Sequence, residues 1–142
     1  MCEATARAEV LLPMQRTAPA QAREFARRSG CTDHALEVLD DALLLISELV
    51  TNSVLHGGPP IVLAIDCDGG GLHVRVRDGA PAAPVPRVAG ADAENGRGKS
   101  LVELISDTWG VAPVADQHGL GKEVWFELRL QGRRPSSSGA ES

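Results

Sequence analysis

The feature that most constrains this chain is one long apolar periodicity, running from Asp33 to His56 and halted by Gly57-Gly58-Pro59-Pro60. Leu36, Leu39, Leu43, Ile46, Val50 and Val54 recur at steps of three and four, the spacing that puts side chains on one face of a helix. At 1.5 Å per residue such a helix runs about 36 Å, enough to cross a whole sheet. Such a helix needs a layer on which to bury its apolar face.

The flanking segments supply that layer. Ala8 to Leu12 reads as a short strand, and Thr17 with Pro19 opens a helix through Arg28 that Gly30 closes. Thr32 caps the long helix. Ile61 to Cys67 and Leu72 to Asp78 read as strands of a hairpin joined by Asp68-Gly69-Gly70-Gly71. In the second, Leu72, Val74 and Val76 alternate with His73, Arg75 and Arg77, so one sheet face is covered and the other is wetter. From Gly79 to Asn95 no period is usable; unstructured loops beyond about 12–15 residues in a compact domain are commonly lids. A short helix follows Gly98, with Leu101, Leu104 and Ile105 on its inner face. Trp109 to Val114 is extended again. A Gly119 to Gly121 turn then leads into Val124, Phe126, Leu128 and Leu130, alternating with polar or bulky neighbours. The expected fold is an α/β (α+β) two-layer sandwich, a mostly antiparallel sheet covered on one face by helices.

Composition bounds the organisation. With 43% hydrophobic and 23% charged residues the chain suits one domain, residues 1–130, with its own core. Gln131 to Ser142 has little to bury and reads as a disordered tail. Three cysteines, Cys2, Cys31 and Cys67, without a C-x-x-C pair argue against a disulfide framework and a zinc site. No stretch approaches the roughly 20 apolar residues of a membrane span, and no secretory leader is evident, so a cytoplasmic protein with no membrane contact is expected. A net charge of -5 argues against nucleic acid, which needs a concentrated basic face, but not against one nucleotide.

Glu48, Asn52 and His56 stand four residues apart, stacked beside the apolar face of the long helix. Asn is a poor helix-interior residue, and its place between Val50 and Val54 asks for a reason such as holding a ligand. A solvated polar stripe is the plain alternative. Asp78 ends a strand before Gly79, as a turn-starting Asp also would. Asn95-Gly96-Arg97-Gly98-Lys99-Ser100 opens a helix, where glycine backbones and the helix N-terminus can approach phosphate. Either Arg97 or Lys99 can reach the same oxygens. His34, His73 and His118 lack partners at ligand spacing and read as surface histidines, and Trp109 and Trp125 read as packing.

The order of these pieces resembles the GHKL superfamily, which includes gyrase, heat-shock chaperone ATPases, histidine kinases and mismatch-repair ATPases. It is most similar to the bacterial anti-sigma factor serine/threonine kinases, over roughly Ala8 to Leu130. The helix motif Glu, three residues, Asn, three residues, His-Gly is matched by Glu48, Asn52, His56 and Gly57. The resemblance implies that the site binds ATP and Mg2+, with Asn52 on the metal and Glu48 as general base. It further implies Asp78 and Gly79 at the adenine, and His56 with Gly96, Arg97, Gly98, Lys99 and Ser100 along the nucleotide. A hard amide oxygen suits Mg2+, a carboxylate can take a hydroxyl proton, and at the base a carboxylate selects the adenine amino group over the guanine carbonyl. Also implied are an antagonist (anti-anti-sigma-type) protein as phosphoryl acceptor, an RNA polymerase sigma factor as second partner, and a homodimer. Two alternatives stand beside the kinase: an ATP-sensing binding module without transfer, and a histidine-kinase-like ATPase domain acting in trans. Three residues depart from the superfamily pattern. Ala80 replaces the second glycine of Asp-x-Gly, Lys99 replaces an apolar residue, and Lys122 stands where many members place a threonine that helps hold adenine.

Overall fold

The computed structural model describes residues 6–29, 38–67, 70–80, 101–117 and 119–129. Strand β1 is Ala6–Leu12, helix α1 Ala18–Ser29, helix α2 Leu39–His56, strand β2 Ile61–Cys67 and strand β3 Gly71–Asp78. Helix α3 is Leu101–Ile105, strand β4 Thr108–Asp116 and strand β5 Gly119–Arg129. The strands form one sheet in the order β1-β2-β3-β5-β4, and every neighbouring pair is antiparallel. The two-layer α+β expectation therefore holds. The described long helix begins at Leu39 with Val38 at its N-cap; the expected start at Asp33 and the expected cap Thr32 lie outside the described residues, as do the segment 81–100 and the tail.

Burial explains the layering. On α2 the buried residues are Ala42, Leu45, Ile46, Leu49, Val50 and Ser53, a run of three- and four-residue steps that fixes one face on the sheet. This face is centred slightly to one side of the purely apolar stripe, because it includes the small Ala42 and the polar Ser53. Asp40 and Asp41 in the first turn suit the positive end of the helix dipole. On α1 the buried residues are Ala18, Ala22 and Ala26, which lets its backbone approach α2, and Arg23 donates to Ser47 Oγ at 2.8 Å across the pair. From the sheet, Ile61, Leu63, Ile65, Leu72, Val74, Val76, Phe126 and Leu128 meet the helices. Fully buried Phe126 is the largest of them.

Three local expectations are corrected. Helix α3 buries Val102, with Leu101 and Ile105 partly covered, while Leu104 is 63% exposed. At about 100° per residue the covered face centres near Ile105, which turns Leu104 outward. Trp109 is not core packing: it sits on edge strand β4 and is 42% exposed. The tight turn between β4 and β5 comes earlier than Gly119 to Gly121. Asp116 already pairs with Gly119, whose φ of +96° belongs to the region glycine favours.

The second sheet face is also drier than the alternation suggests. Val62 and Ala64 are buried there, and Arg77 is 5% exposed. Arg77 donates through Nε and Nη2 to the two oxygens of Asp116, at 2.8 and 2.7 Å, and through Nη2 to the Gly119 carbonyl at 2.7 Å. Arg75 reaches Asp66 at 3.4 Å. His73 stacks on Trp125 with ring centroids 5.6 Å apart and bonds Glu127 at 2.8 Å. The Thr108 hydroxyl and then the His73 ring, both bonded to Glu127, hold its carboxyl below the ordinary carboxylate range. Long charged side chains thus cover a sheet face with their stems while their heads pair at its rim.

Candidate functional site

The last turns of α2 and the strand-end acid meet at one end of the sheet. Asp78 is the last residue of β3, on the helix-facing side, and is 1% exposed. A buried carboxylate must be matched by donors. Ser53 Oγ donates to Asp78 Oδ2 at 2.8 Å, and the Ala80 backbone N–H donates to Oδ1 at 3.0 Å. Lys122 lies directly across the ladder from Asp78, and its ammonium donates to both oxygens, at 2.8 and 2.7 Å.

Glycine makes this assembly fit. A Cβ on Gly57 would run into the Asp78 carboxylate, one on Gly121 into the Asp78 backbone carbonyl, and one on Gly79 into the carbonyl oxygen of Pro59. Gly57 also caps α2, its N–H donating to the Ser53 carbonyl at 2.9 Å, and the Gly79 N–H donates to Gly58 at 2.6 Å. The stop signal after the helix therefore does a second job: it brings the chain close enough to seal one side of Asp78.

Of the stripe, Glu48 is partly buried, whereas Asn52 and His56 are exposed. Asn52 thus offers its amide to solvent, while the next residue, Ser53, turns inward to Asp78. Gly96, Arg97, Gly98, Lys99 and Ser100 lie outside the described residues. Ser53 is the functional neighbour that sequence reasoning missed, since one serine in an apolar stripe carries no periodic signal. Lys122 was visible only as a departure at the threonine position; its pairing with Asp78 follows from the β3–β5 register.

Across residues 12–128 the chain matches the model of the histidine kinase-like ATPase domain. The chain belongs to that family. A search of curated proteins finds no match. The ATPase domain is thereby an ATP-using module by family, and the covered antiparallel sheet is the fold that goes with it.

The donor set can be tested against Mg-ATP. The exposed amide of Asn52 and the nearby Glu48 fit Mg2+, which takes hard oxygen ligands and fills most of its shell with phosphate and water. Among the described residues no group of three His, Cys, Asp or Glu side chains gathers. The base end fits on one condition. Asp78 already accepts four hydrogen bonds, so an adenine amino group bonds it only by exchange with a present donor. Among the described residues no helix is long and apolar enough to cross a membrane.

Proposed function

We propose that this ATPase domain binds Mg-ATP and transfers the γ-phosphoryl group to a serine or threonine of an antagonist protein in a partner-switching pathway. The observation that supports this best is the double use of α2. Glu48 and Asn52 line its outer flank, and Ser53, adjacent to Asn52, bonds the strand-end carboxylate. One turn of helix is thereby shared between residues suited to phosphates and a residue suited to a base.

In this reading Asn52 would hold Mg2+ against the phosphates, and the ion when bound would offset charge on the group being transferred. Glu48 takes the proton of the acceptor hydroxyl as that oxygen bonds phosphorus and the ADP oxygen leaves. Backbone N–H groups around Gly96 and Gly98, with Arg97 or Lys99, meet the phosphate oxygens, and His56 lies along the nucleotide. A sigma factor held by a homodimer of the domain completes the pathway.

The test is a transfer assay with labelled ATP and candidate antagonist proteins. Glu48→Ala is expected to keep nucleotide binding and lose transfer by about a hundredfold or more, the usual scale for a general base. Asn52→Ala is expected to abolish the dependence of binding on Mg2+. Binding without transfer to any partner would make the domain an ATP-sensing module, and acid-labile phosphohistidine on a partner would favour a histidine-kinase-like role. Unchanged nucleotide binding in both Asn52→Ala and Asp78→Asn would overturn the site itself.

A further inference from the structure

Lys122 changes what the buried end of the site offers to a base. Asp78 has two oxygens with about four acceptor positions, and each oxygen already receives two donors. Ser53 is buried and the Ala80 N–H belongs to the backbone, so neither is easily withdrawn. Lys122 is the exchangeable one, with a side chain 23% exposed on a flexible stem. Its ammonium spans both Asp78 oxygens and so stands in front of the carboxylate. Of its three protons, two go to Asp78, and the third has no protein partner among the described residues.

The polarity of the contact is thereby reversed. A bare carboxylate presents an acceptor, which suits the amino group at C6 of adenine and repels the carbonyl at C6 of guanine or hypoxanthine. A carboxylate covered by an ammonium presents a donor, which suits that carbonyl. The ring N1–H of a 6-oxopurine reaches Asp78 only when Lys122 gives up an oxygen. Adenine can answer the ammonium only through its unprotonated N1, and reaches Asp78 with its amino group only after Lys122 gives up an oxygen.

We propose that Lys122 is the base-selectivity residue of this site, and that it admits 6-oxopurine nucleotides alongside adenine nucleotides. This inference rests on the nucleotide-binding reading of the site, and it removes the adenine preference that Asp78 alone would impose. A positioning role for Lys122 in the fold would change stability but leave the ratio between bases untouched.

The experiment is equilibrium dialysis of the full chain with ATP, ITP and purine riboside triphosphate, each with Mg2+. In the wild type, ITP is expected to bind within about threefold of ATP, because the Lys122 ammonium can give one hydrogen bond to either ring edge. Purine riboside triphosphate, which lacks the C6 substituent but keeps N1, is expected to bind as well as ATP. In Lys122→Thr the uncovered Asp78 should favour ATP over ITP by about tenfold or more, the scale of a hydrogen bond to a charged group. Should Lys122→Thr not fold, Lys122→Met keeps most of the stem without a donor, and the wild-type series still decides. A wild type preferring ATP over ITP by more than about thirtyfold overturns the proposal and leaves the nucleotide site standing. So does a base ratio unchanged in a folded Lys122 variant. Failure of all three nucleotides to bind removes the proposal and the site together.

Discussion

Glu127 shows how a single exposed carboxylate can register pH. Thr108 and His73 bond it in the folded chain and hold its carboxyl below the ordinary value of 4.5. A depressed folded-state value means stability that is fully present above about pH 4.5 and is lost as pH falls through the folded value. Its side chain is 42% exposed, so solvent screens the effect and it is small. Thermal melts of wild type and Glu127→Gln should therefore differ by a constant amount near neutrality and converge as the pH drops below 4.5. A gap that persists unchanged to low pH would assign the difference to packing. The same residue scale marks where sequence reading ran out. Glu48, Asn52 and Asp78 were legible because spacing and strand ends are local properties. That Ser53 and Lys122 both converge on Asp78 was not, because it depends on where α2 crosses the sheet and on the β3–β5 register.

Among the elements, the turn end of the β4–β5 hairpin is tied to β3 by the Arg77 guanidinium as well as by the β3–β5 ladder. Arg77 is buried, and Asp116, its bidentate partner, is 43% exposed at the hairpin end. Removing the two partners should not be equivalent. Asp116→Ala strands a buried charge and is expected to cost about 2 kcal/mol, below the range for a fully buried pair because water still reaches the hairpin end. Arg77→Met fills the same space with apolar atoms and leaves Asp116 to water, so it should cost less. Urea titrations of both variants check the order, and the reverse order would mean that Arg77 acts mainly through its stem. Strands β3 and β5 were legible from alternation alone. The dryness of their second face was not, since a run of His73, Arg75 and Arg77 reads as wet until the carboxylates that neutralise it are placed beside it. Helix α3 failed at Leu104 for a related reason: five residues are too few for a period to fix which face is inward.

For the molecule as a whole, stability is held in the strands that are buried on both faces. Cys67 ends β2, is 1% exposed, and is not in a disulfide. With Cys2 and Cys31 replaced by serine, a thiol reagent should label Cys67 only through global unfolding, so its rate should track the unfolding free energy across a denaturant series. Labelling that is fast and insensitive to denaturant would show that the β2 end opens by itself. The layered architecture was legible because one long helix demands a sheet under it. Residues 81–100 lie outside the described structure, and with them Gly96 and Gly98, which the sequence leads one to expect at the phosphates. Close packing around Asp78 also carries over to how the chain can vary. Gly57, Gly79 and Gly121 each approach neighbouring atoms where a methyl group has no room, and none of the three owes this to a left-handed backbone. In a saturation library selected only for folded protein, these three positions should be nearly as empty of substitutes as the core around Phe126. Three residues with no side chain of their own would then trace how closely the chain folds around the end of β3.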